Sequence, residues 1–500
     1  MSETETAPGA ITSATAEVEM PRAFPELNTV IDGRFEVSQR RTGDLFDPNS
    51  GQPLAENRSS SLEQLERAIA SAHAAHESAE WRGMGIAGRA PLLRAFAARL
   101  DELGEQIAVL DAVNSGVPIS VTRLFAGSAG DTVRDVAERA LALGDSRALA
   151  ADGRDVRLRR VPWGATALIM PWNAPSAMAV KKLGYALAAG ASVVMKPSPA
   201  SPWSTVLVAR AAVESGIPRG VVNLVLGGGD IGAALVSDPR IRAISMTGST
   251  PTGRAIAASA GANLTRLRLE LGSNNPAIVR ADANVEEAAR VIVAGAMKLS
   301  GQWCEAPRRV IVARPLLAGL VEALRGELSA LRIGSSLDEG TELGPVAFRD
   351  RLIELEGQRA ALEAQGALIH REGEVPAEGW FFQPTIAVAE EIDLELELFG
   401  PLLTVQPSDS DEQALALANA GHVGLAGYVF GEDEQAALQL GAGLLAGEVK
   451  INGSSVLDMA AESKQSFFGL SGLGGHGDAD VLDFFSGTQI VGTDRPGMPL

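Results

Sequence analysis

Between Ala165 and Leu271 short apolar runs alternate with stretches of helical spacing. The runs are Ala165–Met170, Ser192–Met195, Val221–Leu226, Ile241–Met246 and Leu267–Leu271, with helical patterns near 176–189, 203–215, 230–237 and 251–260. Parallel neighbours need a crossover between them, so this alternation predicts βαβ units and a mostly parallel sheet. A second α/β series starts at Pro276, with strands near 276–279, 309–313, 402–406, 427–430 and 447–451 and helices near 284–300 and 315–330. The two series share alternation but no repeat in sequence. A chain of 500 residues exceeds a single core and predicts two or three domains.

Upstream, helical spacing predicts two helices between Ser61 and Leu110, broken around Arg82–Gly88, and a third from Ser120 to Leu143. Asp155–Pro162 alternates apolar and basic residues, as an exposed strand able to pair does. Glycines at 469–477 mark a loop, and Thr488–Gly492 is strand-like. Residues 1–20 carry glutamates and no Lys or Arg, which predicts a disordered acidic tail rather than a signal peptide. The net charge of −19 argues against nucleic acid and anionic membranes as partners. No apolar run reaches the length of a membrane span. A single cysteine excludes an intrachain disulfide and a cysteine-rich zinc site and fits a cytoplasmic location. His73 and His76 stand three apart with no third ligand nearby, so no metal site is expected.

Several residues invite a chemical reading beside a structural one. Cys304, in Gly301–Gln302–Trp303–Cys304–Glu305–Ala306, is either a nucleophile or a small buried hydrophobe. Glu270, inside Leu269–Glu270–Leu271–Gly272, is either a base with a raised pKa or a salt-bridged core glutamate. Asn173, stiffened by Pro171 and Pro175, can donate to an oxyanion or simply sit in a turn. Lys196 ends a strand, where it faces either a ligand crevice or solvent. Gly227–Gly228–Gly229–Asp230–Ile231–Gly232 fits GxGxxG after a strand, yet the acidic residue expected about twenty positions later is missing. No neighbouring histidine forms a recognisable Cys–His pair.

Order and spacing join these signals. Pro171–Trp172–Asn173, Val194–Met195–Lys196–Pro197, Thr247–Gly248–Ser249–Thr250, Leu269–Glu270–Leu271–Gly272 and Gly301–Gln302–Trp303–Cys304 are followed by Gly379–Trp380–Phe381–Phe382–Gln383–Pro384–Thr385 and Glu397–Leu398–Phe399–Gly400–Pro401. Over about residues 25–495 the chain closely resembles the NAD(P)-dependent aldehyde dehydrogenase superfamily. The resemblance implies an α/β fold with a Rossmann-type cofactor domain (21–143 and 163–271), an α/β catalytic domain (272–470) and a β-arm for oligomerisation (144–162 and 480–500). It implies Cys304 as nucleophile, Asn173 and the Cys304 N–H as oxyanion donors, Glu270 as the base that activates water, and Lys182 in a proton relay. Trp172, Lys196, Gly229, Ser249, Glu397 and Phe399 would hold the dinucleotide. The product would be a carboxylic acid, the partner a small aldehyde, the assembly a homodimer or homotetramer, and the cofactor NAD or NADP, with NAD the first choice.

The chain departs from the family pattern in four places. Pro199 stands where NAD-preferring members carry a glutamate, so a 2′-phosphate meets no repelling carboxylate. The glycine-rich loop is one residue shorter, and the loop Phe467–Phe468–Gly469–Leu470–Ser471–Gly472 is shorter and lacks a lysine. Lys181 takes the place of a carboxylate-binding arginine and suits an anionic aldehyde, or else pairs with an acid. Glu305 beside the thiol should raise its pKa, and Ala174 with Trp303 suits a bulkier or aromatic substrate. A CoA-acylating enzyme generally lacks the glutamate found at 270. The alternatives left open are biosynthetic reduction of an activated acid and a non-catalytic binding protein on the same fold.

Overall fold

The computed structural model describes residues 18–151, 153–392, 397–421, 424–456, 459–460 and 463–494. Two large sheets organise it. The first runs in the order Arg34–Val37, Asn28–Ile31, Val222–Leu224, Val193–Lys196, Ala165–Ile169, Ile241–Thr247, Arg266–Glu270, Gly472–Leu473. Its five central strands pair in parallel, and antiparallel neighbours close both sides. The central strands Ala165–Ile169 and Val193–Lys196 are buried at every position, because helices cover both faces. That is why they read as continuous apolar runs rather than as alternation. Chain order proceeds one way from Ala165–Ile169 and then returns to place Ile241–Thr247 on its other side. The crevice beyond the carboxyl ends of those two strands is the switch point where α/β sheets bind ligands.

The second sheet runs Leu368–Arg371, Thr385–Val388, Leu402–Ser408, Pro307–Ala313, Asn275–Val279, Ala426–Phe430, Glu448–Ile451, all parallel except the first pair. A three-stranded antiparallel sheet joins Ser486–Gly492, Val156–Pro162 and Ser146–Ala148. The polar stretch after Leu143 thus contributes a strand that its composition conceals.

Other expectations change in detail. The helix expected at 120–143 is two helices, Ile119–Gly127 and Ala129–Leu143, meeting at Ser128. The helix expected at 284–300 stops at Ala296 and yields to a tight turn. The glycine-rich 469–477 segment is not plain loop. Gly472–Leu473 joins the first sheet beside Leu269–Glu270, and Gly475–His476 pairs with Gln465–Ser466. Gly472 has φ +143, and a Cβ there would collide with the Leu269 carbonyl, so only glycine permits that approach. Of the expected acidic tail, residues 1–17 lie outside the described residues. Val18 is docked, its N–H donating to the Leu337 carbonyl at 2.9 Å.

Candidate active site

Strand ends from both sheets supply the site. Glu270 closes strand Arg266–Glu270 of the first sheet, and Cys304 precedes strand Pro307–Ala313 of the second. The approach to Cys304 is unusual backbone. Leu299 (φ 52°), Ser300 (φ 56°) and Gly301 (φ 72°) lie consecutively in the left-handed region. For the two non-glycine residues this costs roughly 1–3 kcal/mol each. Surrounding hydrogen bonds hold the strain. Ser300 Oγ donates to the Gly116 carbonyl at 2.8 Å and accepts from Gly344 N–H. The Gln302 amide donates to the Ser115 carbonyl at 3.0 Å and accepts from Ala347 N–H at 2.9 Å. Gly301 cannot be larger, since a Cβ would meet the Gly400–Pro401 backbone at 2.5–2.6 Å. Asn275 Nδ2 grips the carbonyls of Cys304 and Ala306 at 2.8 and 2.9 Å. The thiol is therefore placed by buried amides on both sides of it.

Cys304 Sγ donates to Glu270 Oε1 at 3.2 Å. Ser245 and Thr247, two apart on one strand, face the same side. Thr247 Oγ1 donates to Glu270 Oε2 at 2.8 Å, and Lys182 Nζ donates to Ser245 Oγ at 3.0 Å. Asn173 Nδ2 donates to the Gln302 carbonyl at 2.7 Å. An amide carries two N–H groups, so this bond orients Asn173 and leaves one for a substrate oxygen. Asn173 is stiffened by its neighbours, because Pro175 opens helix Pro175–Ala189 at its first turn.

Burial pushes the Cys304 thiol well above its ordinary range, and the carboxylates of Glu270 and Glu305 push the same way. Glu305 thus acts on the thiol as its charge predicts. Glu270 runs against expectation. Burial raises its pKa, but any proton that His476 takes up, the cations Lys182 and Arg268, and the Thr247 hydroxyl act the other way and hold it below the usual carboxylate range. His476 is itself pushed down to about 3, by burial first and then by Lys181. It is neutral at neutral pH, so the charges that keep Glu270 ionised are Lys182 and Arg268. Burial and Arg268 lower Lys182 to about 7. A proton-poor carboxylate beside a proton-rich thiol is the state from which proton transfer can start.

Lys196, Glu397 and the glycine-rich turn fit a dinucleotide. Lys196 Nζ donates to the carbonyls of Pro197 and Gly227 at 2.9 and 2.8 Å, which leaves one of three ammonium protons for a ribose hydroxyl. Glu397 accepts from Ser273 N–H at 3.1 Å, and burial raises its pKa to about 7. Helix Gly229–Ser237 opens at Gly228, and a Cβ on Gly229 would meet nothing within 4 Å, so its N-terminus is open to a phosphate. Phe399 meets the edge of Trp172 at 5.3 Å and 79°. Ser249 stands just before helix Thr250–Gly261, its hydroxyl 3.0 Å from Thr252 Oγ1.

The three substrate candidates separate. Lys181 pairs with Asp478 at 3.3 Å, the acid-paired alternative of the sequence reading. Trp303 is only 5 % exposed and anchors an apolar cluster with Val117, Leu299 and Ala306. Val121, Phe125, Ala174 and Cys304 pack against that cluster. Glu305 is buried, and its carbonyl accepts the Tyr428 hydroxyl. Sequence reasoning missed Thr247, Asn275, Arg268, His476 and Lys298. Polar residues inside otherwise buried strands were the available signal for the first three; His476 reaches Glu270 only through the late pairing of distant segments.

The sequence model of the aldehyde dehydrogenase family matches residues 35–491. A betaine aldehyde dehydrogenase of Agrobacterium fabrum is 33% identical over 487 residues, covering 94% of this chain and 96% of the other. A phenylacetaldehyde dehydrogenase of Pseudomonas fluorescens is 33% identical over 444 residues, covering 86% and 88%. Among solved structures, the NAD+ complex of an aldehyde dehydrogenase from Bacillus cereus superposes with a TM-score of 0.90 at 29% identity, over 96% of this chain and 100% of that one. With the two sheets, the Cys304–Glu270 contact and the dinucleotide crevice already in place, the chain belongs to the aldehyde dehydrogenase family: it oxidises aldehydes with a nicotinamide dinucleotide.

Proposed function

We propose that the protein converts an apolar or aromatic aldehyde to its carboxylic acid, with Cys304 as nucleophile. The observation that carries this is the Cys304 Sγ–Glu270 Oε1 contact of 3.2 Å beside the half-engaged Asn173 amide. Glu270 takes the thiol proton as sulfur adds to the carbonyl carbon, and the oxygen that gains charge is held by Asn173 Nδ2 and the Cys304 N–H. Nicotinamide, when bound, supplies the hydride acceptor that turns the thiohemiacetal into a thioester. Glu270 releases the first proton to solvent and, ionised again, takes a proton from water; the hydroxyl attacks the thioester and the Cys304 thiolate leaves, to be reprotonated by Glu270. Trp172, Lys196, Gly229, Ser249, Glu397 and Phe399 hold the dinucleotide, and Lys182 biases the charge of Glu270.

Supporting the substrate class is the apolar cluster of Trp303, Val121, Phe125 and Ala174 around Cys304. The Pseudomonas relative is named for an aromatic aldehyde and the Agrobacterium relative for a cationic one. Here Lys298 lies 4.7 Å from the Trp303 ring centroid, so that ring face already meets a cation and cannot also receive a quaternary ammonium. A panel of benzaldehyde, phenylacetaldehyde, an aliphatic aldehyde and betaine aldehyde, each with NAD and NADP, tests the reading. Benzaldehyde or phenylacetaldehyde should give the highest kcat/KM; betaine aldehyde leading would sink it. With no acid at Pro199, NADP should remain within about tenfold of NAD, since no like charge repels the 2′-phosphate.

The oligomer reading is a homodimer or homotetramer formed through the arm of Val156–Pro162 and Ser486–Gly492, which leaves Ile490 and Val491 about half exposed. Residues 495–500 of that arm lie outside the described residues. No described helix is long and apolar enough to cross a membrane. A cytoplasmic location is part of the same proposal.

Lys182 offers a test of the charge balance. Its ammonium lowers the Glu270 pKa, so Lys182→Met should raise it. A base must be unprotonated to act, so the acid limb of the kcat/KM–pH profile should move to higher pH. An unmoved limb would remove Lys182 from that role. Stability should change with the opposite sense. Wild-type Lys182 titrates near 7 when folded and higher when unfolded, so the unfolded state binds more protons between those values and burial penalises the fold below about pH 7. Lys182→Met should therefore raise Tm relative to wild type more at pH 6 than at pH 10.

A further inference from the structure

The apolar cluster beside Cys304 carries a cation that the mechanism does not use. Lys298 sits in the turn just before the nucleophile, with Nζ 4.7 Å from the Trp303 ring centroid. Its ammonium also donates to the Ser454 carbonyl. An ammonium has three protons, so this tie does not exhaust it. Among the described residues, Lys450 and Glu305 are the charges that act on it. Lys450 is paired with Glu448 at 2.7 Å and donates to the Ser455 carbonyl at 2.6 Å. Glu305, which is buried, attracts Lys298. Burial and Lys450 together lower Lys298 to about 8, so it stays charged at neutral pH in a partly desolvated place. A partly buried ammonium is costly unless something meets it, and an apolar side chain would complete this cluster at less cost. A tie to one backbone carbonyl is the plain structural alternative.

We propose that Lys298 is a specificity-determining residue, whose ammonium binds a carboxylate or sulfonate at the far end of an aromatic aldehyde whose carbonyl is held at Cys304. The proposal rests on Cys304 being the point where the aldehyde carbonyl docks. Lys298, not Lys181, then reads substrate charge, because Lys181 is spent on Asp478. A cationic aldehyde is repelled at the same point.

The test compares benzaldehyde, 4-carboxybenzaldehyde and betaine aldehyde in the full chain. For wild type, kcat/KM for 4-carboxybenzaldehyde should exceed that for benzaldehyde by about tenfold, the effect of one charge-assisted hydrogen bond. Lys298→Met should bring that ratio to about one while benzaldehyde changes less than about threefold, and Lys298→Arg should restore the preference. Lys298→Glu should reverse it toward betaine aldehyde. A wild-type ratio near one, or an equal loss for both benzaldehydes in Lys298→Met, assigns Lys298 to the Ser454 tie and overturns the proposal. Calorimetry reads the same contrast without turnover: terephthalate should bind wild type about tenfold more tightly than Lys298→Met, with benzoate unchanged. If that binding contrast holds while no aldehyde is oxidised, the nucleophile reading fails and Lys298 stands. Loss of the binding contrast overturns Lys298 alone.

Discussion

Cys304→Ser is expected to lower kcat for aldehyde oxidation by roughly 10⁴-fold or more, while the dinucleotide still binds. The substitution removes the sulfur of the single cysteine, which lies 3.2 Å from Glu270 Oε1. A serine hydroxyl is a far weaker acid than a thiol and a poorer nucleophile toward the aldehyde carbon, and that nucleophilicity is what the substitution removes. The placing groups are untouched. Asn275 grips the backbone carbonyl of residue 304, and Ser300 and Gln302 hold the turn by their own side chains. Loss of turnover with an unchanged Tm and unchanged NAD affinity would therefore report chemistry and not folding. Turnover near the wild-type rate would remove Cys304 from the mechanism.

Glu270→Gln is expected to lower steady turnover by about 10²–10⁴-fold, the usual worth of a positioned base. Glutamine keeps an oxygen for Thr247 Oγ1, which donates at 2.8 Å in the wild type, so packing is preserved. It cannot take a proton from the thiol or from water. Both steps slow, and the thioester should accumulate. Rapid mixing should show at most one equivalent of reduced dinucleotide per chain, followed by a stall, and intact mass should show the acyl adduct on Cys304. Linear turnover without a burst, at near the wild-type rate, would show that water is activated elsewhere. A stall with no adduct would place the block before thioester formation.

The Glu270 environment shows where reading a sequence stops. An acid within an apolar segment is expected to titrate high, since burial disfavours charge. That reasoning identified the residue and mistook the sign. The cations that reverse it come from the helix carrying Lys182, from Arg268 on its own strand and from no sequence neighbour that advertises the contact. His476 is similar. It lies more than two hundred residues away, and only the pairing of Gly472–Leu473 with Leu269–Glu270 brings its segment alongside. Lys181 went the other way. Its spacing from Asn173 matched a carboxylate-binding position, yet Asp478, on a short helix after the glycine-rich segment, takes its charge.

Sequence by itself determined the two α/β series, the strand that precedes Asn173 and the strands that end in Lys196 and Glu270, and it singled out Cys304 as the candidate nucleophile. Those are local matters: periodicity sets helix and strand, and strand ends in a parallel sheet present their residues to one crevice. Tertiary structure alone decided how the groups act on one another. The thiol's hydrogen bond to Glu270, the sign of the Glu270 shift, the capture of Lys181 and the placement of Lys298 over Trp303 all depend on distances of a few ångströms between remote segments. Electrostatic coupling falls steeply with distance and with solvent exposure, so spacing along the chain carries little of it.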